Sequence, residues 1–195
     1  MSLDIAPLTG PALQSALDDL ARLRIAVFRD FPYLYDGTRE YEEDYLRRFA
    51  EGRDGIIVAA REGEAIVGCA TGSALVTHHG PLQQPFRDAG YDLDTIFYCG
   101  ESVLLPTWRG RGLGHAFFDH RERHAKARGY RISTFCAVVR APDHPARPAD
   151  YRPLDAFWQK RGYRKAKGLV AHFSWKDVGE REQTPKTMQF WLRDL

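Results

Sequence analysis

The chain reads Ser102-Val103-Leu104-Leu105-Pro106-Thr107-Trp108-Arg109-Gly110-Arg111-Gly112-Leu113-Gly114 at the point that decides its fold. The apolar residues 102–106 predict a strand that ends at the proline, and the residues after the glycines predict a helix. A strand that turns through glycines into a helix N-terminus presents unpaired backbone N–H groups together with the positive end of the helix dipole. The stretch therefore predicts a loop that binds an anion, specifically a phosphate.

The spacing of the glycines narrows the type of loop. A dinucleotide-binding fingerprint needs G-x-G-x-x-G with an acidic residue about 20 positions later, and a P-loop ends in Gly-Lys-Ser/Thr. The chain instead carries Arg-x-x-Gly-x-Gly at 109–114, after an apolar strand and a proline. This pattern resembles the pyrophosphate-binding motif of the GNAT superfamily of acyl-CoA N-acetyltransferases, in which a Val/Leu-rich strand, a proline and two residues precede Arg-Gly-x-Gly-x-Gly and a helix.

Apolar periodicity and turn residues predict the other elements. The predicted strands cover residues 3–8, 55–60, 65–76, 95–105, 131–139, 169–175 and 188–192; the predicted helices cover 13–27, 38–52, 113–129 and 154–161; long connections cover 77–94 and 141–152. The order β-α-α-β-β-β-α-β-α-β-β resembles the GNAT fold. It implies an α/β (α+β) class with a mixed central sheet of about seven strands flanked by helices on both faces, the strands beside the glycine loop being parallel.

Length and charge limit the classes of function. The 195 residues suffice for one core, and we expect a single domain over 1–195. The 28 Lys and Arg nearly balance the 26 Asp and Glu, so no overall basic field favours nucleic acid or an anionic membrane as a partner. Three widely spaced cysteines, no signal-peptide pattern and no apolar run of bilayer length predict a cytoplasmic protein with reduced thiols.

Two further groups of residues can be explained without a functional role. His78, His79 and His144 lie in loops without the spacing of metal ligands, so we expect solvated side chains and no metal site. Near the C-terminus, Phe190 and Trp191 belong either to a core strand or to the contact of a homodimer.

The resemblance implies acetyl-CoA, or a close acyl-CoA, as cosubstrate. The residues that it assigns to the pyrophosphate are Arg109, Gly110, Arg111, Gly112, Leu113 and Gly114. Gly112 and Gly114 would allow close approach of the backbone, and Arg111 is either a phosphate contact or a solvated surface arginine. The backbone of Val103, Leu104 and Leu105 would pair with the pantetheine arm like an added strand.

Transfer of an acetyl group to an amine requires a neutral amine, so a base must take a proton. Glu101 lies just before the apolar run, where many members of the family carry an acidic residue near the acceptor, and we predict it to be the general base. The alternative is a structural role in which Glu101 pairs with a neighbouring arginine.

The expected proton donor for the leaving thiolate is missing. The family often carries a tyrosine in Phe-Tyr-x-x-x-Gly-Phe, and here that segment reads Phe157-Trp158-Gln159-Lys160-Arg161-Gly162-Tyr163. Indole is too weak an acid to replace a phenol. Either Tyr98, Tyr151 or Tyr163 substitutes, or the thiolate leaves without a dedicated acid, or the enzyme is altered or inactive.

Residues 28–36 lie between the first two helices, a region that commonly walls the acceptor site in the family. We predict that Tyr33 and Tyr35 enclose the acceptor and that Arg29 holds an anionic group on it; the alternative is a hydrophobic hinge. The leading hypothesis is an N-acetyltransferase acting on a small-molecule amine. The alternatives are a non-catalytic acyl-CoA-binding module and an acetyltransferase acting on a protein amine.

Overall fold

The computed structural model describes residues 3–78 and 80–195, so the predictions for His79 and for the first two residues, Met1 and Ser2, fall outside the described chain. The strands are β1 (Leu3–Leu8), β2 (Ile56–Glu62), β3 (Ala65–Ala74), β4 (Ile96–Leu104), β5 (Ile132–Val138), β6 (Arg164–Trp175) and β7 (Thr184–Asp194). The helices are α1 (Gly10–Phe28), α2 (Arg39–Glu51), α3 (Gln84–Asp88), α4 (Leu113–Ala127) and α5 (Asp155–Lys160).

The strands form one mixed sheet of seven in the order β1-β2-β3-β4-β5-β7-β6. Strands β4 and β5 are parallel, as expected for a strand–helix–strand unit, and the other neighbours are antiparallel. The parallel pairing covers only Ile96–Tyr98 of β4 and Ile132–Thr134 of β5. Beyond Tyr98 and Thr134 the two strands separate, and we call the gap between them the opening.

Helices cover both faces of the sheet because its strands alternate their side chains. In β2, Ile57 packs on the side of α1 and α2, whereas Val58 packs on the side of α4. The apolar stripe of α1 and that of α4 are both buried, which confirms the predicted amphipathic helices. Each such side chain contributes about 1.5–3 kcal/mol when fully buried.

The C-terminal strands are longer than the apolar pattern predicted. Strand β6 begins at Arg164 rather than 169, and its pairing with β7 is interrupted between Lys165 and Val170, where Gly168 has a φ of +84°. The polar residues of this irregular edge strand conceal its first half from a search for alternating apolar residues. In β7, Phe190 and Trp191 are fully buried, so these two residues belong to the core and not to a dimer contact.

The long connection 77–94 contains structure that the sequence did not predict. It includes the short helix α3 and several 3₁₀ turns, and Phe86 on α3 is fully buried against Phe190 at a ring distance of 4.8 Å. One aromatic side chain therefore anchors a segment that otherwise lacks apolar periodicity.

Strand β4 contains a β-bulge that controls the site. Ala70 pairs with Ser102 and Gly72 with Cys99, so Thr71 of β3 faces two residues of β4, Gly100 and Glu101. An extra residue reverses the alternation of side chains beyond it. Val103 and Glu101 face α1 and α2, and beyond the bulge Tyr98 lies on that same face although it is three residues from Glu101.

Arg121 of α4 closes the bulge from the other face of the sheet. Its guanidinium is 1% exposed and donates to the carbonyl oxygens of Thr71 at 3.1 Å and Glu101 at 2.8 Å, and to the Ser102 hydroxyl at 2.7 Å. A buried carbonyl without a donor is costly, so Arg121 stabilises a backbone irregularity that the regular ladder would not satisfy.

Replacement of Arg121 by Met should destabilise the protein by about 3 kcal/mol, because two buried carbonyls lose their donor. The matched control is Arg123→Met, on the exposed side of the same helix, with an expected change below about 0.5 kcal/mol. Urea unfolding measures both, and equal effects would refute the role given to Arg121.

Candidate active site

The glycine loop at 109–114 has the backbone of an anion-binding turn. Gly110 and Gly112 have φ values of +77° and +82°, and Gly112 is the N-cap of α4. A Cβ on either glycine would meet no protein atom within 4 Å. The carbonyl of Gly112 accepts from the amides of His115 and Ala116, so the amides just before them belong to the first turn, where a helix has no internal acceptor. These amides, with the helix dipole, suit a phosphate.

The two arginines of this loop already contact protein groups. Arg109 folds back, donating to the Leu104 carbonyl at 3.3 Å and lying 3.9 Å from Asp30. Arg111 is exposed and stacks on Trp108 at 4.6 Å. A Cβ on Gly114 would lie 3.3 Å from the Phe157 ring, so Gly114 allows α4 to approach α5. The backbone is therefore the part of the loop that is shaped for a ligand.

The main chain of β4 is available along the opening. Leu105 donates its amide to the Val67 carbonyl on the β3 side at 3.0 Å, and Val103 pairs with Cys69. Because backbone groups alternate in direction along a strand, the amide and carbonyl of Leu104 point away from β3. Of the three predicted residues, Leu104 is thus the one whose main chain points to the opening; its carbonyl is the group that Arg109 contacts, and its amide has no acceptor on β3.

Glu101 lies in a buried polar cluster on the α1 and α2 side. It is 9% exposed. Its Oε2 accepts hydrogen bonds from the Tyr45 hydroxyl at 2.9 Å and the Thr71 hydroxyl at 2.8 Å, and its Oε1 forms an ion pair with Arg24. Glu101 therefore forms the ion pair with an arginine that the sequence analysis gave as its structural role. The same carboxylate is also the predicted general base.

Arg24 joins Glu101 to a second buried carboxylate, Glu42. Burial alone would lower the pKa of Arg24, but Glu101, Tyr45 and Glu42 raise it well above its ordinary value. Glu42 is fully buried, and burial, followed by the nearby Glu42, raises the pKa of Tyr35. We call Arg24, Glu42 and Glu101 the carboxylate cluster.

The sequence analysis missed Arg24 and Glu42, although a signal was present. Arg24 follows Leu17 and Leu20 at spacings of seven and four on the buried stripe of α1, and Glu42 precedes Leu46 by four on α2. A charged residue at such a position is rare unless it has a buried partner.

Tyr98 and Tyr33 lie on the same face as the carboxylate cluster. The Tyr98 hydroxyl is 3.4 Å from the Cys136 Sγ, and its ring contacts His78 at 5.0 Å. Burial, followed by the nearby Cys136, raises the pKa of Tyr98 well above its usual range. Burial, followed by Cys136 and Glu101, also raises the pKa of Tyr33. Both phenols are therefore neutral at physiological pH.

Tyr163 and Trp158 lie on the other side of the sheet. The Tyr163 hydroxyl is 2.7 Å from Ser133 and donates to Glu122 at 3.1 Å, within the core that α4 covers. Trp158 contacts Trp191 at a ring distance of 5.1 Å. The structure does not bring Tyr163 together with Glu101 and Tyr98, and Trp158 fills core volume.

The loop between α1 and α2 (residues 29–38) holds the three predicted acceptor residues. Tyr33 contacts Phe28 at 4.8 Å, whereas Tyr35 reaches Glu42. Arg29 is exposed and already pairs with Asp36 at 3.2 Å. Two of the predicted residues therefore lie beside the buried polar groups, and Arg29 lies at the surface.

Replacement of Arg24 by Met should destabilise the protein by about 3–5 kcal/mol, because two buried carboxylates lose their cation. Adding Glu42→Gln should restore at least about 1 kcal/mol of that loss. Arg22→Met, two residues earlier on α1 with a side chain 64% exposed, is the control. Urea unfolding of the wild type, both single variants, the double variant and the control gives the values, and strictly additive effects of Arg24→Met and Glu42→Gln would contradict the cluster.

None of the helices within residues 3–78 and 80–195 is long and apolar enough to span a membrane. The three cysteines are buried and form no disulfide.

Comparison with known proteins agrees with this geometry. The sequence model of the acetyltransferase (GNAT) family matches residues 19–163, and no curated protein is matched by sequence. The fold is similar to that of a proposed acetyltransferase from Acinetobacter baylyi ADP1 (TM-score 0.66, 13% identity, 100% of this chain and 92% of that one).

Two further solved structures share the fold. An N-acetyltransferase from Staphylococcus aureus Mu50 is similar at a TM-score of 0.60 and 16% identity, over 100% of this chain and 99% of that one. A ribosomal-protein-alanine N-acetyltransferase from Brucella melitensis is similar at a TM-score of 0.64 and 13% identity, over 98% and 99%. With the seven-stranded mixed sheet, the opening and the glycine loop, the match over residues 19–163 shows that this chain belongs to the acetyltransferase (GNAT) family.

Proposed function

We propose that the protein transfers an acetyl group from acetyl-CoA to the amine of a small-molecule acceptor, by direct attack of the amine. The observation that carries this proposal is the alignment of three features along β4: a buried carboxylate at Glu101, an open main-chain edge at Leu104 and the glycine loop that follows. A donor bound along this edge and an acceptor beside Glu101 would meet at the opening.

The residues around the opening fit a CoA thioester. The loop amides and the dipole of α4 suit a pyrophosphate, and the open space at Gly110 and Gly112 leaves them accessible. The Leu104 amide, which points away from β3, suits a carbonyl of the pantetheine arm, and the Leu104 carbonyl would exchange Arg109 for a pantetheine N–H. When bound, acetyl-CoA supplies the activated acyl group.

Glu101 is the proposed general base. Its ion pair with Arg24 fixes the carboxylate in position. The Oε2 of Glu101 accepts a hydrogen bond from the Tyr45 hydroxyl. A proton from the acceptor amine can therefore reach the carboxylate through this hydroxyl, which takes up one proton while it donates its own to Glu101. Arg24 and Tyr45 thus orient the base.

The candidate that donates a proton to the leaving thiolate is Tyr98. Tyr98 lies on the face of Glu101, whereas Tyr163 lies on the α4 face. The raised pKa of Tyr98 makes it a weak proton donor. Acid catalysis therefore contributes less to the rate than positioning of the substrates and removal of the proton. Cytoplasmic location and a homodimer remain predictions from the sequence.

The loop 29–38 is the proposed acceptor wall, with Tyr33 and Tyr35 as its aromatic contacts. Arg29 is engaged by Asp36 and would have to leave that partner to bind an anionic group. The similar Brucella structure is that of a ribosomal-protein-alanine N-acetyltransferase, so a peptide amine is the competing acceptor. Because Trp158 replaces the expected tyrosine, a non-catalytic acyl-CoA-binding module is the competing role.

Replacement of Glu101 by Gln should lower kcat by about a hundredfold or more, because the amide cannot take the proton. Glu42→Gln is the matched control: it makes the same change in the same ion-pair cluster, without touching the base, and should retain most activity. The assay is release of CoA thiol from acetyl-CoA with ethylamine, ethanolamine, 2-phenylethylamine, spermidine and an alanine-terminated peptide, across pH.

Equal losses in the Glu101 and Glu42 variants would reduce Glu101 to a structural residue. Faster turnover of the peptide than of every small amine would overturn the small-molecule assignment. Binding of acetyl-CoA without turnover of any amine would favour the non-catalytic module.

Replacement of Gly112 by Ala should weaken acetyl-CoA binding by about tenfold or more, because the left-handed backbone that aims the loop amides is strained by a Cβ. Gly63→Ala is the control, since Gly63 also has a positive φ of +59° and open space around its Cβ position, but lies in the β2–β3 turn. Both should lose similar stability. Calorimetric titration separates them, and equal affinities would show that the loop does not bind the cosubstrate.

A further inference from the structure

The loop 29–38 is attached to the distant β6–β7 hairpin by main-chain pairing. Tyr35 and Asp177 form an isolated antiparallel bridge, and the Asp36 amide donates to the Lys176 carbonyl at 3.0 Å. The proposed acceptor wall therefore behaves as a short extra strand added beyond the end of β6.

Arg140 supports this arrangement from a third element. Its Nε donates to the Pro32 carbonyl at 2.8 Å, and one Nη donates to the Tyr33 carbonyl at 2.7 Å. The same guanidinium forms a bidentate pair with Asp177 at 2.7 and 2.9 Å. The Tyr33 carbonyl also accepts from the Trp175 indole at 3.1 Å.

The position of Arg140 connects this network to the opening. Arg140 follows β5, and the preceding residue, Val139, is held to Thr187 of β7 by a 2.9 Å main-chain hydrogen bond. Because β5 is one border of the opening, a single side chain joins that border, the loop 29–38 and the β6–β7 hairpin.

The Arg140–Asp177 pair is buried and charged. The two side chains are 10% and 7% exposed, and the Nζ of Lys186 lies 3.3 Å from Oδ1 of the same carboxylate. Burial alone would raise the pKa of Asp177, but the hydrogen bonds and charge of Arg140, followed by Lys186, lower it below its ordinary value. The stabilisation is thus complete above the ordinary pKa of an aspartate and is lost as the pH falls through the lowered value.

We propose that Arg140 is a positioning residue for the acceptor: by holding the Pro32 and Tyr33 carbonyls against Asp177, it fixes the wall that the acceptor amine contacts. This inference rests on the proposed function of the same site. The guanidinium is engaged with protein acceptors and holds the main chain of the wall, so its contribution is made before the acceptor arrives.

A positioning role for Arg140 predicts that its loss changes the KM of the acceptor but not the affinity for acetyl-CoA. Release of the wall leaves Glu101, Leu104 and the glycine loop in place, so acetyl-CoA binding should be unchanged. The acceptor must then order the loop as it binds, which raises its KM. A residue that only stabilised the fold would lower the amount of active enzyme and leave KM unchanged.

The test uses Arg140→Met in the full chain. We expect the KM of the fastest of the five amine probes to rise by about tenfold, with the Kd of acetyl-CoA within about twofold of the wild-type value. Hydrogen exchange of the amides of residues 33–36 should accelerate. Arg164→Met is the matched control, because Arg164 forms an exposed pair with Asp194 between β6 and β7 and should change neither quantity.

Two more variants keep the proposal testable if Arg140→Met folds poorly. Asp177→Asn should reproduce the rise in KM, and Arg140→Lys, which keeps the charge but cannot donate to four oxygens in one plane, should fall between wild type and Arg140→Met. An unchanged KM together with unchanged hydrogen exchange in these variants would overturn the positioning role.

Failure of the proposed function gives a different result. If the wild-type protein acetylates none of the probes, acetyl transfer to amines is refuted, and hydrogen exchange still reports whether Arg140 holds residues 33–36. If acetylation is observed but Arg140→Met alters only the yield of folded protein, the proposed function stands and Arg140 is structural.

Discussion

Gly100 and Glu101 of β4 stand opposite a single residue of β3, Thr71, and Arg121 donates to the carbonyl groups at this irregularity. Without the extra residue, Tyr98 and Glu101, three positions apart, would face opposite sides of the sheet. With the bulge, both side chains lie on the side of Arg24 and Tyr45. The shared face of the proposed base and Tyr98 is thus a consequence of how one backbone irregularity is satisfied from the opposite face of the sheet.

The two halves of the site use different physical means. The glycine loop contributes main-chain amides and a helix dipole, which are fixed as soon as α4 forms, whereas Arg109 and Arg111 are engaged elsewhere. The acceptor half depends on buried charges that must be matched: Arg24 by Glu42 and Glu101, Arg140 by Asp177. Buried ion pairs of this kind add little net stability but penalise misplacement of either partner, which suits groups that have to be held in position.

Local sequence patterns predicted the fold well, because each element carries its own signal. The apolar run before Pro106 and the glycines after it predicted β4, the loop and α4, and the parallel β4–β5 unit was confirmed. The first half of β6 was missed, since its edge position and the irregularity at Gly168 remove the apolar alternation. The helix α3 was missed because it is anchored mainly by Phe86.

The candidate site was less predictable because its residues meet only through the tertiary fold. Glu101 could be selected from its place in β4, but its partner Arg24 lies 77 positions away and shows only as a charge on an apolar stripe. Nothing local marks Arg140 as the partner of Asp177 and of the Tyr33 carbonyl. Predictions for isolated residues, such as Tyr163, could not anticipate which face of the sheet each side chain would occupy.

The most direct test of the central claim is a crystal structure of the protein with acetyl-CoA. The expected result is a pyrophosphate bonded by main-chain amides of residues 110–114, and a pantetheine amide bonded to the main chain of Leu104 inside the opening between β4 and β5. Acetyl-CoA bound outside the opening, or with its pyrophosphate away from the glycine loop, would contradict the assignment of this site.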